Sequence, residues 1–213
     1  MSGTSEAFHK ILKENASMLG FLLTPSGGHD LKTVLGFGIP WAADNGAFTG
    51  LDVPKFLRML ARISDLRREQ APMWVTCPDS VGNARETLRL WRAWSPMMRE
   101  IGLRLAFVLQ DGQENLGIPD AECLFVGGTT AYKLSAAAAG LVAEGKKRGC
   151  LIHMGRVNSR RRMMYAQSIG CDTVDGTGGS RFGNKRLRPM CRWLAQIESQ
   201  RVMFQDEQNG ASP

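Results

Sequence analysis

Short apolar runs alternate with amphipathic stretches along most of this chain, and nearly every run stops on Asp, Asn, Gln or Gly. Its 213 residues suit one domain with a full core. Together these observations predict an α/β fold with a parallel sheet, a compact (β/α)8 TIM-like barrel that is either complete or short of a strand. An open doubly wound sheet is the alternative. Both architectures bind ligands at the carboxyl ends of their strands.

The elements follow from local patterning. Phe8, Ile11 and Leu12 stand at helical spacing and predict a short amphipathic helix over 5–16, within an N-terminal segment 1–18. GFLLT (20–24) reads as a first strand closed by Pro-Ser-Gly-Gly, and 31–35 as a turn of helix. IPWAA (39–43) is a strand that stops on Asp44-Asn45-Gly46. Phe56, Leu57, Leu60 and Ile63 share one face of a helix over 53–68, with Pro54 suited to its first turn. MWVTC (73–77) is a strand ended by Pro78-Asp79, and 83–101 is a helix that Pro96 should kink or shorten. LAFVL (105–109) leads into Gln110-Asp111-Gly112, and CLFV (123–126) into Gly127-Gly128-Thr129. An alanine-rich helix fills 131–144, CLIH (150–153) leads to Met154, and a helix covers 159–168. DTV (172–174) delivers Asp175, and 187–198 forms the last helix. Seven strands are thus expected, with an eighth between Leu35 and Ile39 or absent. A loose polar tail occupies 205–213, so the whole of 1–213 reads as one domain.

Composition excludes several classes. Hydrophobic residues at 43% and charged residues at 22% describe an ordinary globular protein. Lys and Arg number 27 against 20 Asp and Glu, a net charge of +7 that suits a polyanionic partner such as nucleic acid. The five cysteines lie far apart with no CxxC pair, which argues against a zinc knuckle and for reduced thiols in a cytoplasm. No apolar run is long enough to span a bilayer, and the opening residues carry no signal-peptide core.

The stretch with the most chemistry is GCDTVDGTGGSRFGNKR, residues 170–186. It places Asp175 at a strand end beside a glycine-rich loop carrying Arg181, Lys185 and Arg186. Asp before Gly is also ordinary turn chemistry. What lifts it is the set: Asp44, Asp79, Gln110, Gly127, Gly128, Met154 and Asp175 all follow or end strands, and a parallel sheet would gather them at one pocket. Three carboxylates sharing a pocket would repel one another and raise at least one pKa. Arg156, Arg160, Arg161 and Arg162 follow the strand at Met154 and would add a basic patch near Asp175, able to bind phosphates without reading sequence. A solvated helix face is the plainer account of that run. His9 and His153 lack ligand-spaced partners and receive no role.

Six segments in order resemble the tRNA-guanine transglycosylases. WAADNGAFTG is similar to their DSGGFQ segment, VTCPDSVGNARETLRLW to their second aspartate strand, and FVLQDG to IVQGG. LFVGGT is similar to IGGLAVGE, IHMGRV to LMGVG, and GCDTVDGTGGSR to the nucleophile segment GVDMFDCVMPTR. The family's zinc motif, CxCxxC with a distant His, has no counterpart. The resemblance is therefore closest to the small phage and bacterial relatives that insert 7-deazaguanine bases into DNA. It implies a TIM barrel and an enzyme that exchanges guanine in nucleic acid, preferably DNA, for a 7-deazapurine, with no metal or cofactor.

By the same resemblance Asp175 is the nucleophile on C1′ and Asp44 the general acid/base. Asp79 would accept the guanine N1–H and N2–H2, while Gln110 and the backbone near Gly127 and Gly128 reach its O6. Asn45 would help hold the base, and Phe48 and Met154 would sandwich it. Arg156, Arg160, Arg161, Arg181, Lys185 and Arg186 would grip the strand, from which the target nucleotide must be flipped. A tRNA-directed transglycosylase, an N-glycosidase, a nucleoside deoxyribosyltransferase and a non-catalytic nucleic-acid-binding module stay open as alternatives.

Overall fold

Seven parallel strands form one sheet in simple sequential order, β1 (Phe21–Leu23), β2 (Trp41–Ala43), β3 (Val75–Thr76), β4 (Leu105–Leu109), β5 (Cys123–Val126), β6 (Leu151–Met154) and β7 (Thr173–Val174). The computed structural model describes residues 6–176 and 187–197. Each strand pairs in parallel with the next, so every connection is a crossover, as parallel pairing requires. The sheet curls into a half barrel. One sign of the curl is that the rings of Trp74, beside β3, and His153, on β6, lie 5.0 Å apart. On a flat sheet their strands would stand roughly 14 Å apart, at about 4.8 Å for each of three steps.

Helices cover one face: α1 (Glu6–Glu14), α2 (Leu31–Gly36), α3 (Val53–Ser64), α4 (Ala84–Glu100), α5 (Thr130–Lys133), α6 (Ala136–Lys147), α7 (Arg160–Ser168) and α8 (187–197). Most start on a side chain that accepts from a backbone N–H left unpaired at the helix start. Asp30, Asp52, Asn83, Thr129, Ser135 and Ser159 fill this role for α2 to α7.

Strand alternation sorts side chains into two layers. Trp41, Ala43, Val75, Leu105, Phe107, Leu109, Leu124, Val126, Ile152 and Met154 face the helices, meeting Phe56 and Leu60 of α3, Trp91 and Met98 of α4, and Leu141 and Val142 of α6. Ala42, Trp74, Ala106 and Cys123 face the inside of the curl, with Phe125 packed against them. A smaller cluster joins Ile11 and Leu12 of α1 to Phe37, Ile39, Leu187 and Cys191. Ile197, by contrast, belongs to the main core, and its carbonyl accepts from Gln167 of α7. Helix α8 therefore bridges the cluster around α1 and the helix α7. All five thiols are free. Among the described residues no helix is long and apolar enough to cross a membrane.

Several expectations need correction. Of the two alternatives for an eighth strand between Leu35 and Ile39, the one without it holds, because α2 runs on to Gly36 and β2 pairs directly with β1. The alanine-rich stretch is two helices: the chain leaves α5 at Leu134, and Ser135 caps α6. Pro96 does not shorten α4, which continues to Glu100 with Ser95 and Met98 buried on either side of it. Tertiary packing outweighs the lost backbone hydrogen bond there. Helix α3 ends at Ser64 rather than Arg68. The expected basic residues Arg181, Lys185 and Arg186, and the tail at 205–213, lie outside the described residues.

Two glycines of α6 give a matched test of this packing. A methyl group at Gly145 would stand 2.3 Å from Leu124 Cδ1 and 3.1 Å from Ile152 Cδ1, whereas one at Gly140 would meet nothing within 4 Å. Leu124 and Ile152 are fully buried and have little room to turn. Gly140→Ala should therefore gain up to about 1 kcal/mol from helix propensity. Gly145→Ala should instead lose about 1–2 kcal/mol to overpacking, net of the same gain. Thermal unfolding of the two variants should shift in opposite directions, by about 2–4 °C per kcal/mol.

Candidate active site

The carboxyl ends of the strands gather the predicted acidic residues. Asp44 follows β2, and its N–H donates to Leu23 O of β1 at 2.8 Å. Burial pushes its carboxyl up to about 7, and the neighbouring charges of Asp79 and Asp175 push in the same direction. Backbone N–H groups of Gly46 and Asn45 oppose the rise without cancelling it. All three carboxylates therefore share one electrostatic environment, and Asp44 holds its proton up to about pH 7.

Asp79 is handled differently. Asn45 Nδ2 donates to its Oδ1 at 2.7 Å and Gln110 Nε2 donates to its Oδ2 at 2.6 Å. Burial still raises its pKa, with these two bonds acting against the rise. The amides are themselves held: Asn45 Nδ2 also donates to Cys77 O, and Asn45 Oδ1 accepts from Ala47 N. Gln110 Oε1 accepts from Gly82 N at 2.8 Å. Gln110 is only 1% exposed and both ends of its amide are engaged, so it positions Asp79 rather than facing an open site. This corrects the expectation of a direct contact from Gln110 to a purine.

Asp175 is the third case. His153 Nε2 donates to its Oδ2 at 3.1 Å and Arg156 N donates to its Oδ1 at 3.0 Å. Burial would raise its pKa, but the His153 hydrogen bond and charge, the Arg156 N–H and the nearby Lys133 together hold it below the ordinary carboxylate value. Arg156 adopts φ 59°, a left-handed conformation uncommon for a side-chain-bearing residue, and in it the N–H meets Asp175.

His153 received no role from the sequence, and the structure gives it one. It sits on β6 opposite Thr173 of β7, whose Oγ1 lies 2.8 Å from its Nδ1, while its ring packs between Trp74 and Phe125. With the carboxylate able only to accept, Nε2 carries the proton toward Asp175. Lys133 was also missed. It is buried at 4% exposure and donates to Gly155 O at 2.7 Å, and burial together with the nearby Arg156 lowers its pKa to about 8. Asp111 was seen only as a turn residue, yet it accepts from both the N–H and hydroxyl of Thr129, holding the Gly127-Gly128 turn.

The remaining predicted residues divide. Gly127 and Gly128 lie where any side chain would collide: a Cβ would stand 2.6 Å from Val108 Cγ1 or 2.5 Å from Asp111 Oδ2 respectively, and Gly128 has φ 73°. Gly128 O accepts from the Arg156 guanidinium. Phe48 is 63% exposed, with the Arg156 guanidinium 4.2 Å from its ring centroid. Met154 is 2% exposed and packs into the helix-facing core, one position out of phase with His153. It offers no open face to stack on a base, which corrects that expectation. Arg160 and Arg161 are exposed at the start of α7, and Arg162 is partly buried. Among the described residues no cluster of three or more His, Cys, Asp or Glu could hold a metal ion.

No family model and no curated protein sequence matches the chain. Among solved structures it is similar to the manganese/cy-diGMP complex of Klebsiella pneumoniae BlrP1 at pH 9.0, with 16% identity and a TM-score of 0.44 over 82% of this chain. The calcium/cy-diGMP complex of the same protein at pH 8.0 gives 13% identity and a TM-score of 0.37. The chain spans 44% of the length of those structures, and likeness at this level carries no argument about activity.

Two measurements probe the carboxylate set. Carbon NMR titration of Asp44 should give a midpoint near 7, and Asp79→Asn should lower it by removing one of the charges that raise it. The folded state holds the Asp44 proton to about 7, while the unfolded chain releases it near 3.8. This group's stabilisation is therefore present below the unfolded value and lost as pH rises through 7. Asp44→Asn should accordingly raise the melting temperature at pH 8 and leave it little changed at pH 4. An unchanged value at pH 8 would contradict the burial of the charge.

Proposed function

We propose that this chain is a base-exchange transglycosylase that replaces guanine in nucleic acid, DNA in preference to tRNA, with a 7-deazapurine. The observation that carries the reading is the divergence of two neighbouring carboxyls. Asp175 is kept ionised by His153 and Arg156 N, while Asp44 stays protonated up to about 7. An ionised nucleophile beside a neutral acid is what glycosidic exchange at a carboxylate requires.

In this reading Asp175 attacks C1′ as the C1′–N9 bond breaks, and Asp44 gives its proton to the departing guanine. The sugar is then an ester of Asp175. The incoming 7-deazapurine loses its N9 proton to the ionised Asp44 and attacks C1′, breaking the ester and regenerating the Asp175 carboxylate. Two displacements retain the configuration. Asp79 accepts the purine N1–H and exocyclic N–H groups. Its oxygens offer about four lone-pair sites, of which the Asn45 and Gln110 amides occupy two. The exposed Phe48 ring supplies a stacking face once Arg156 swings toward a phosphate. The half barrel is, on this view, a (β/α)8 barrel one strand short, acting on cytoplasmic nucleic acid, the host's if the chain is phage-encoded.

The test is incorporation of radiolabelled guanine into single-stranded DNA and, in parallel, tRNA. Label should enter DNA with the wild type and fall by at least about a thousandfold in Asp175→Ala, as loss of a covalent nucleophile implies. Label in tRNA alone would overturn the DNA preference. Guanine released without any acceptor base would make the enzyme a hydrolase instead. His153→Ala should lower the rate while shifting its acidic limb to higher pH, because Asp175 loses its main stabilising hydrogen bond.

A further inference from the structure

A polar cavity opens at the end of β1, and nothing in the proposed chemistry uses it. Its volume is about 430 Å³, and it lies between the loop after β1 and helix α3. That volume falls within the roughly 300–1,000 Å³ of small-ligand sites. Leu23, Thr24 and Pro25 form the wall nearest the candidate active site. The same loop abuts the Asp44 turn, where Asp44 N donates to Leu23 O and a Cβ on Gly46 would touch Pro25 Cδ at 3.5 Å.

The opposite wall is cationic. Lys55, Arg58 and Arg62 recur at helical spacing on α3, so their side chains share one face and all three line the cavity. Phe56, Leu60 and Ile63 turn the other way into the core, which holds the charged face outward, and Met59 lies at the boundary and also lines the cavity. Among the described residues Asp30 is the one carboxylate in the lining; it accepts from Thr33 N at the start of α2 and keeps its negative charge. Asp52 pairs with Lys55 at 3.2 Å and caps α3. Among the described residues neither Arg58 nor Arg62 has a carboxylate within 4 Å, although the charge of Asp30 acts on Arg62 and that of Asp52 on Arg58. Gly28 in the facing loop leaves open space where a side chain would stand.

We propose that this cavity holds backbone phosphates of the nucleic-acid strand, on the side of the active site opposite the α7 arginines. Three cations against one carboxylate in the lining, behind a loop hydrogen-bonded to the Asp44 turn, fit a phosphodiester and contribute affinity without reading bases. A strand gripped on both sides of the flipped nucleotide is held in place while that nucleotide leaves the stack. The inference rests on the nucleic-acid substrate proposed above.

The experiment is fluorescence anisotropy with a labelled single-stranded oligodeoxynucleotide over a range of salt, using the full chain carrying Asp175→Ala so that no turnover occurs. Adding Arg58→Gln and Arg62→Gln, which keep good helix formers on an exposed face, should weaken binding on the order of tenfold. It should also flatten the log–log salt slope by about 1.4, at roughly 0.7 for each lost phosphate contact. Arg92→Gln, exposed on α4, serves as the charge control and should change the slope by no more than about one contact's share. His29 lines the cavity, and its ring resonances should shift on adding oligonucleotide. Affinity and slope equal to those of the Arg92→Gln control would overturn the inference. A His29 shift with inorganic phosphate or guanosine monophosphate, but none with oligonucleotide, would overturn it as well. Failure of base exchange with this binding pattern intact would count against the enzymatic reading alone.

Discussion

Three carboxylates brought to one end of an apolar sheet cannot all be ionised without stabilisation, and the local structure supplies it unequally. Asp175 has a ring N–H and a backbone N–H aimed at its two oxygens. Asp79 has two side-chain amides. Asp44 has, among the described residues, the N–H groups of its own turn and sits within the field of the other two. The ordering of their proton affinities follows from that distribution: burial acts on all three in the same direction, and the hydrogen bonds decide which carboxyl escapes it.

Much of the surrounding fold is what keeps those donors in place. The His153 ring is fixed by Trp74 and Phe125, residues that meet because the sheet curls. Thr173 reaches its other nitrogen through the β6–β7 register. Arg156 is pinned twice, by its side chain on Gly128 O and Phe48 and by Lys133 on the preceding carbonyl. The left-handed backbone at Arg156 is held against its intrinsic cost by these contacts. A buried lysine is expensive unless its charge is used, and here Lys133 both ties the loop and contributes to the field on Asp175.

The cationic cavity lies at the end of β1, and the arginines of α7 follow β6, at the other side of the sheet order. That arrangement agrees with the chain's excess of seven positive charges and places part of it where a polyanion would be useful. Asp30 and Asp52 stay ionised as helix caps and offset part of that charge, leaving Lys55, Arg58 and Arg62 in excess.

The strand–helix alternation, the strand ends and the acidic residues beyond them were legible in the sequence, because apolar periodicity and turn residues are local signals. A raised carboxyl pKa was expected from crowding; in Asp44 burial is the larger cause, and the charges of Asp79 and Asp175 add to it. Pairing between strands was not legible. The approach of His153 to Asp175 depends on a register joining positions twenty-two residues apart, and the exclusion of Met154 on the phase of β6 relative to the helix layer. Gln110 and Asn45 read as candidates for ligand contact, but only the folded chain shows their amides already committed to Asp79. By itself the sequence determined which chemical groups stand at the strand ends. Tertiary structure decided which of them meet, since hydrogen-bond partners and shared burial are set by curvature and register that no single stretch of chain encodes.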